Sequence, residues 1–124
     1  MQGIHLLAEF HQCQGNQRLL DNAAALRELC VDLVRRSGLS LVGQHFHQFE
    51  PVGATGAIVL KESHLAIHTW PEHGYVSLDV FVCNFTTDNS SKARWLLDQL
   101  QQAFQPAEVE TQQIKRGQPC AIPS

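Results

Sequence analysis

Histidine, a residue that binds metals and moves protons, is frequent in this sequence, with seven among 124 residues. His64 and His68 fall in a stretch of strand-like alternation, where four residues span about 13 Å, too far for one shared ion. His45 and His47 would lie about 7 Å apart on one strand face and would need further ligands. The sequence contains no His-Glu-x-x-His motif. It therefore predicts no metal site.

A serine, Ser63, stands directly after Glu62 at the end of an apolar stretch. The serine of an α/β hydrolase sits in a Gly-x-Ser-x-Gly turn, which this sequence lacks. A serine outside such a context is most often an ordinary polar residue. Residue type and spacing alone therefore leave the chemistry of Ser63 open.

The elements that would position these residues follow from the hydrophobic periodicity. Apolar residues at a spacing of three to four predict a helix over 18–36, with Asn16 as its N-cap and Gly38 ending it. A second helix is predicted over 88–104, capped by Thr87 or Asp88. Strands are predicted over 4–10, 39–48, 57–60, 64–70, 75–83 and, at an edge, 109–114. Because strands and helices do not alternate strictly, we predict one α+β domain over 1–124, an antiparallel sheet with two helices on one face.

The strongest local prediction is a β-hairpin around residues 71–74. Two runs of alternating residues flank this turn, and a simple register pairs Trp70 with Tyr75 and Glu62 with Cys83. Cross-strand partners share a face. One face is therefore apolar and packs on the helices. The other face carries the following polar residues: His64, His68, Ser77, Asp79 and Cys83.

The composition excludes several classes of protein. The net charge of −3 and the pI near 6.1 argue against a nucleic-acid partner. No apolar run approaches the roughly 18 residues that span a bilayer, and no secretory signal is evident, so we expect a cytoplasmic protein. The four cysteines are widely spaced, which predicts free thiols. A charged fraction of 17% is low and is consistent with surface hidden in an oligomer.

The residues on either side of Ser63 are more informative than the serine itself. Residues 61–72 read Lys-Glu-Ser-His-Leu-Ala-Ile-His-Thr-Trp-Pro-Glu. This segment closely resembles the self-cleavage segment of the prokaryotic S-adenosylmethionine decarboxylases. The similarity continues through 74–83, and upstream segments at 5–10, 20–22 and 49–56 also resemble the family. It covers roughly residues 4–116.

The resemblance implies a pyruvoyl-dependent enzyme that makes its own cofactor. The Ser63 hydroxyl would attack the Glu62 carbonyl, and elimination would cut the chain into 1–62 (the β chain) and 63–124 (the α chain). Residue 63 would become a pyruvoyl group, which forms a Schiff base with the substrate amine and accepts electrons as CO₂ leaves. The three lysines, Lys61, Lys92 and Lys115, lie in no recognisable pyridoxal phosphate motif. No pyridoxal phosphate and no metal are therefore expected.

The resemblance also assigns roles by position. His68 matches the proton acceptor in processing, and Cys83 matches the thiol that protonates the substrate carbon after decarboxylation. Phe49 matches an aromatic residue that stacks on adenine, and Glu72 a carboxylate that binds the ribose hydroxyls. Thr55 stands where relatives carry a hydroxyl residue that supports processing.

The predicted hairpin bears on these roles. It places Cys83 beside the Glu62–Ser63 bond, but His68 lies five residues beyond Ser63, about 16 Å along a strand. A general base needs hydrogen-bond contact. We therefore expect a homodimer in which His68 of one protomer acts on Ser63 of the other. This expectation agrees with the resemblance, which implies dimers with active sites at the interface.

Three functions remain open at this stage. The first is decarboxylation of S-adenosylmethionine to S-adenosylmethioninamine, the aminopropyl donor for spermidine biosynthesis. The second keeps the fold and the pyruvoyl chemistry but acts on ornithine or arginine. The third is a non-catalytic, His-rich binding module that never cleaves itself. Phe49 and Glu72 favour the first, because an amino acid has neither adenine nor ribose.

Overall fold

A single antiparallel sheet organises the part of the chain that the computed structural model describes, residues 2–84 and 87–117. The elements in chain order are β1 (Gly3–Cys13), α1 (Arg18–Asp21), α2 (Ala23–Ser37), β2 (Leu41–Gln48), β3 (Ala54–Leu60), β4 (Ser63–Trp70), β5 (Tyr75–Cys83), α3 (Ser90–Phe104) and β6 (Pro106–Arg116). The strands lie in the sheet in the order β2-β3-β4-β5-β1-β6. A 3₁₀ turn, Pro71–His73, joins β4 to β5. This is the predicted α+β class, with a short third helix.

The first predicted helix is broken at Asn22, so the expectation of one continuous helix over 18–36 is wrong. Asn22 has extended backbone angles (φ −125°, ψ 120°), and its side chain accepts a hydrogen bond from the Ala25 amide at 2.9 Å. An asparagine that caps a helix in this way starts a new helix. Asn16 accepts from the Arg18 amide at 3.0 Å, but Gln17 occupies the N-cap position of α1. Gly38 ends α2 in the left-handed region (φ 86°), as predicted.

The last helix begins two residues later than predicted. Asn89 occupies the N-cap position of α3, and its side chain makes no capping hydrogen bond. Asp88 accepts a hydrogen bond from the Ser90 amide at 2.9 Å. The N-cap residue is therefore Asn89 and not the predicted Thr87 or Asp88, and the Asn89 side chain is left for other contacts.

The core lies on one face of the sheet, as the alternation predicts. The apolar residues of β4 and β5 are buried on the face where the helices pack, with α1 against β4 and α3 against β5. Their neighbours on the opposite face are half-buried, except Trp70, which is exposed. The largest fully buried side chains are Phe10, Phe104, Leu20, Leu26, Ile58, Leu65, Ile67, Leu96 and Leu100.

The hairpin register agrees with the prediction from Trp70–Tyr75 to His64–Phe81. The ladder ends with Ser63 opposite Val82, so the predicted pair of Glu62 with Cys83 is not part of it. Glu62 lies in the turn before β4. β1 and β6 are longer than predicted, because β1 pairs with β6 from Gly3 to Cys13 and with β5 from Gly3 to Phe10. Cys120 falls outside the described residues.

Candidate active site

A serine hydroxyl lies against the peptide carbonyl that precedes it. Ser63 begins β4 just after the turn formed by Lys61 and Glu62, and its Oγ donates a hydrogen bond to the carbonyl oxygen of Glu62. The Ser63 Oγ is also 3.6 Å from the Sγ of Cys83, the last residue of β5. The neighbourhood of Cys83 and the Glu62–Ser63 bond, expected from the hairpin, is therefore present.

A buried amide holds the same corner of the sheet from the side of the helices. The Nδ2 group of Asn89 donates to Glu62 Oε2 and to the backbone oxygen of Cys83, both at 2.9 Å. A cavity of about 410 Å³ opens beside the turn. Its described lining residues are Gly38, Leu39, Ser40, Leu60, Lys61, Glu62, Ser63, Val82, Thr87, Asn89 and Lys92. The sequence alone gave no signal for Asn89, which looks there like an ordinary residue at a helix start.

The remaining predicted site residues form a second group at the far end of β4. The Oγ1 of Thr55 and the Nδ1 of His68 are 2.5 Å apart across the β3–β4 ladder. Phe49 and Glu72 join them around a cavity of about 300 Å³, which Trp70 and Val52 also line. Phe49 is 47% exposed and Trp70 41% exposed. An open cavity with two accessible aromatic faces and one carboxylate can take a flat, polar-edged ligand.

The two groups do not meet within one chain. Ser63 and His68 are five residues apart on one extended strand, which corresponds to about 16 Å. Because side chains alternate along a strand, these two residues also start on opposite sides of the sheet. The described lining residues of the two cavities have no member in common. The structure thus brings Ser63 to Cys83, and Thr55 to His68, but keeps the pairs apart.

A network of charged and polar groups occupies the open face between these two groups. His5 and His64 each place Nε2 at 2.8 Å from the same Asp79 oxygen, Oδ2. Arg116 lies 3.2 Å from His5 Nδ1. Arginine can only donate, so a neutral His5 ring with its proton on Nε2 satisfies both contacts.

This network was not foreseen, because it depends on the pairing of β1 with β5. Its two histidines and one carboxylate are also the one group among the described residues with the composition and proximity of a metal site. The guanidinium of Arg116 on the outer side of His5 makes the position unfavourable for a second cation.

The open face of the sheet also carries a stack of aromatic rings. Tyr75 stacks on Trp70 with centroids 5.0 Å apart, and on His11 with centroids 5.1 Å apart. The Tyr75 hydroxyl and the Ser77 hydroxyl both donate to the carboxylate of Glu9. The helices pack on the other face, so this ordered, half-exposed surface is available for contact.

The described cysteines differ in accessibility. Burial raises the pKa of Cys30 to about 12 and that of Cys13 to about 11. Both are therefore thiols rather than thiolates near neutral pH. Cys83 is half-buried and lies at the site. None of the helices in residues 2–84 and 87–117 has the length and hydrophobicity needed to cross a membrane.

An α+β sheet protein in which a serine hydroxyl lies against the carbonyl of the preceding residue has the arrangement that a self-processing enzyme precursor requires, and comparison with known proteins agrees. The S-adenosylmethionine decarboxylase family model matches residues 4–117. The S-adenosylmethionine decarboxylase proenzyme of Persephonella marina is 37% identical over 93% of this chain and 82% of its own length. That of Acidithiobacillus ferrooxidans is 38% identical over 94% of this chain and 83% of its own length.

A solved structure of the same family has the same fold. The crystal structure of the adenosylmethionine decarboxylase from Aquifex aeolicus superposes with a TM-score of 0.85 and 33% identity, covering 98% of this chain and 96% of that one. This chain belongs to the S-adenosylmethionine decarboxylase family. The resemblance found in the sequence is confirmed.

Proposed function

We propose that this chain is the precursor of a pyruvoyl-dependent enzyme that decarboxylates S-adenosylmethionine. The product is S-adenosylmethioninamine, the aminopropyl donor for spermidine biosynthesis. The observation that carries the proposal is the contact between Ser63 Oγ and the Glu62 carbonyl in a member of this family. We further propose that the enzyme is cytoplasmic, that it binds neither nucleic acid nor membranes, and that it uses neither a metal nor pyridoxal phosphate.

Self-cleavage follows from that contact in three steps. Ser63 Oγ bonds to the Glu62 carbonyl carbon, the bond from that carbon to the Ser63 nitrogen breaks, and the hydroxyl proton passes to that nitrogen, which leaves an ester and a free amine. A base then removes the Ser63 α-proton, and the bond from Cβ to the ester oxygen breaks. Glu62 leaves as a free C-terminus, and the dehydroalanine at 63 hydrolyses to ammonia and a ketone. One domain would then consist of fragments 1–62 and 63–124.

The residues around Ser63 suit the pyruvoyl group formed there. Ser63 lines a cavity and Cys83 lies 3.6 Å away, so a proton donor stands next to the position of the ketone. When present, the pyruvoyl group supplies an electrophilic carbonyl that binds the substrate amine and accepts the electrons released with CO₂. Cys83 then gives a proton to the substrate carbon.

The cavity at the far end of β4 supports a nucleoside substrate. Phe49 stacks on adenine, and Glu72 accepts hydrogen bonds from the two ribose hydroxyls. The Thr55 hydroxyl, within 2.5 Å of His68 Nδ1, orients the imidazole. Ornithine and arginine offer neither ring nor ribose to Phe49 and Glu72, so these residues favour S-adenosylmethionine.

A second copy of the chain completes the site. His68 is the base for the elimination step, and it lies about 16 Å along β4 from the Ser63 of its own chain. The half-exposed polar face of the sheet, which carries His68 and Cys83, is not covered by the helices. We infer a homodimer about a two-fold axis, in which the His68, Phe49, Thr55 and Glu72 of one protomer serve the Ser63 and Cys83 of its partner.

Intact-mass spectrometry of the purified protein tests self-cleavage. We expect two fragments that meet at Glu62 and Ser63, the second beginning with a pyruvoyl group. Ser63→Ala remains one chain, whereas Ser91→Ala, an exposed serine on α3, cleaves like the wild type. A folded wild-type chain that stays whole under processing conditions refutes the enzyme and favours the binding module.

Release of CO₂ from three labelled substrates tests specificity. We expect activity with S-adenosylmethionine and none with ornithine or arginine. A cleaved protein that prefers either amino acid would keep the pyruvoyl chemistry and refute the assignment of Phe49 and Glu72.

A further inference from the structure

A single buried side chain bridges the two sides of the bond that is cut. Asn89 is 6% exposed, and with Thr69 it is one of two buried polar residues in the described part of the chain. Its Nδ2 donates to Glu62 Oε2 and to the Cys83 backbone oxygen, both at 2.9 Å. Since both partners are acceptors, they fix the orientation of the amide group.

Asn89 is itself held by contacts that do not involve Glu62. Its backbone amide donates to Asn84 Oδ1 at 2.8 Å, and the Asn84 side chain donates to Ser90 Oγ at 3.1 Å. The backbone amide of Asn84 donates to the oxygen of Gln2 at 2.7 Å, next to the start of β1. The Asn89 side chain makes no capping bond to α3. It is therefore a fixed donor whose side chain serves the cleavage corner and not the helix.

We propose that Asn89 is a positioning residue for self-cleavage, acting on Glu62. By holding the Glu62 carboxylate and the end of β5 on one amide, it keeps the Glu62 carbonyl against the Ser63 hydroxyl. Attack on a carbonyl is fast only when the reacting atoms are held in place, so a restraint on Glu62 acts on the rate. This inference rests on the proposed self-cleavage.

The same amide has a second task once the bond is cut. Glu62 then ends the fragment 1–62, whereas Asn89 and Cys83 belong to the fragment 63–124. The hydrogen bond from Asn89 thus crosses the cut and holds the new chain end at the rim of the cavity.

The charged groups around Asn89 allow a specific test of its positioning role. Lys61, Glu62 and Lys92 line the same cavity, and Asp88 precedes Asn89 in the chain. The hydrogen bond from the Ser90 backbone amide holds the pKa of Asp88 below its usual value, so Asp88 stays ionised. A carboxylate at position 89 would face that of Glu62 and could donate to it only after taking up a proton.

Two substitutions at Asn89 keep the helix start. Serine and aspartate are both favoured N-cap residues, so Asn89→Ser and Asn89→Asp are expected to fold. Asn16→Ser and Asn16→Asp are matched controls, because Asn16 is exposed and lies beyond the opposite end of β1. Each chain is made by cell-free synthesis, checked for cooperative thermal unfolding, and followed by intact mass from about pH 5 to about pH 8.

We expect Asn89→Ser to cleave about tenfold more slowly than the wild type or slower, the usual effect of losing a hydrogen bond to a charged group. Asn89→Asp is slower still at neutral pH, and its rate relative to the wild type rises as the pH falls and the new carboxyl becomes a donor. The Asn16 variants follow the wild type at each pH. A merely structural role for Asn89 gives no such recovery in acid.

The outcomes separate this inference from the proposed function. If the wild type cleaves and both Asn89 variants match it at every pH, the positioning role is wrong. The role is also wrong if folded Asn89→Asp is slow but does not recover at low pH. If the folded wild type itself stays whole, self-cleavage fails and this inference fails with it.

Discussion

Complementation between two inactive chains measures whether His68 acts within its own chain or on a partner. One chain carries His68→Ala and retains Ser63, and the other carries Ser63→Ala and retains His68. A mixed dimer then contains one complete site, formed by Ser63 of the first chain and His68 of the second. We expect that the chain that is cut is the one that lacks its own histidine.

The strand geometry sets the size of the effect. Five residues of β4 separate Ser63 from His68, or about 16 Å, whereas a proton is transferred over about 3 Å. Random pairing of equal amounts of the two chains places about half of the His68→Ala chains in mixed dimers about a two-fold axis. About half of the His68→Ala chains are therefore cleaved in the unfractionated mixture and nearly all of them in purified mixed dimers, whereas no Ser63→Ala chain is cleaved in either.

The assay uses tags of different mass on the two chains. Co-expressed protein is purified through both tags in turn, which isolates the mixed dimers, and intact mass then identifies which chain is cut. Each variant expressed alone stays whole. Cleavage of His68→Ala alone at the wild-type rate, or isolated mixed dimers in which neither chain is cut, would contradict the trans arrangement.

Three further predictions concern reactivity, packing and substrate binding. Burial raises the pKa of Cys30 to about 12, so a thiol reagent at neutral pH labels Cys83 in the folded protein and Cys30 only after unfolding; peptide mass mapping that finds equal rates contradicts this. Gly56→Ala destabilises the protein by about 1–3 kcal/mol in urea unfolding, because the added methyl overlaps the Phe46 ring; an unchanged midpoint refutes the overlap. Glu72→Gln raises KM for S-adenosylmethionine about tenfold while cleavage proceeds normally; an unchanged KM removes Glu72 from the ribose site.

Local patterns predicted the part of the fold that carries the Glu62–Ser63 bond. Strict alternation fixes which residues of a hairpin share a face, so the register from Trp70–Tyr75 to His64–Phe81 could be worked out without a structure. The end of the helix at Gly38 could also be predicted, because glycine readily adopts the left-handed backbone conformation that ends a helix. The family could also be identified, because the sequence around Ser63 is specific to it, whereas composition and spacing alone left the function open.

Features that depend on distant pairing could not be predicted. The contacts of Asp79 with His5 and His64 exist because β1, far away in sequence, lies beside β5. The break at Asn22 was missed because the apolar periodicity continues through it, while the capping bond to Ala25 decides the backbone. Asn89 was missed for a related reason, since its side chain donates to Glu62, which is distant in sequence, and does not cap its own helix.

The strand order has a consequence for the molecule after processing. With the proposed cut between β3 and β4, fragment 1–62 would contribute β1, β2 and β3, and fragment 63–124 would contribute β4, β5 and β6. In the sheet, β1 of the first fragment lies between β5 and β6 of the second, hydrogen-bonded to both. Each precursor protomer would therefore unfold and refold as one chain, whereas the processed protomer would separate into two chains on unfolding. Compared with the uncut Ser63→Ala precursor, the processed protein should have a melting temperature that depends more steeply on protein concentration. Its renaturation should slow more on dilution, because the refolding of each protomer then begins with the encounter of two chains.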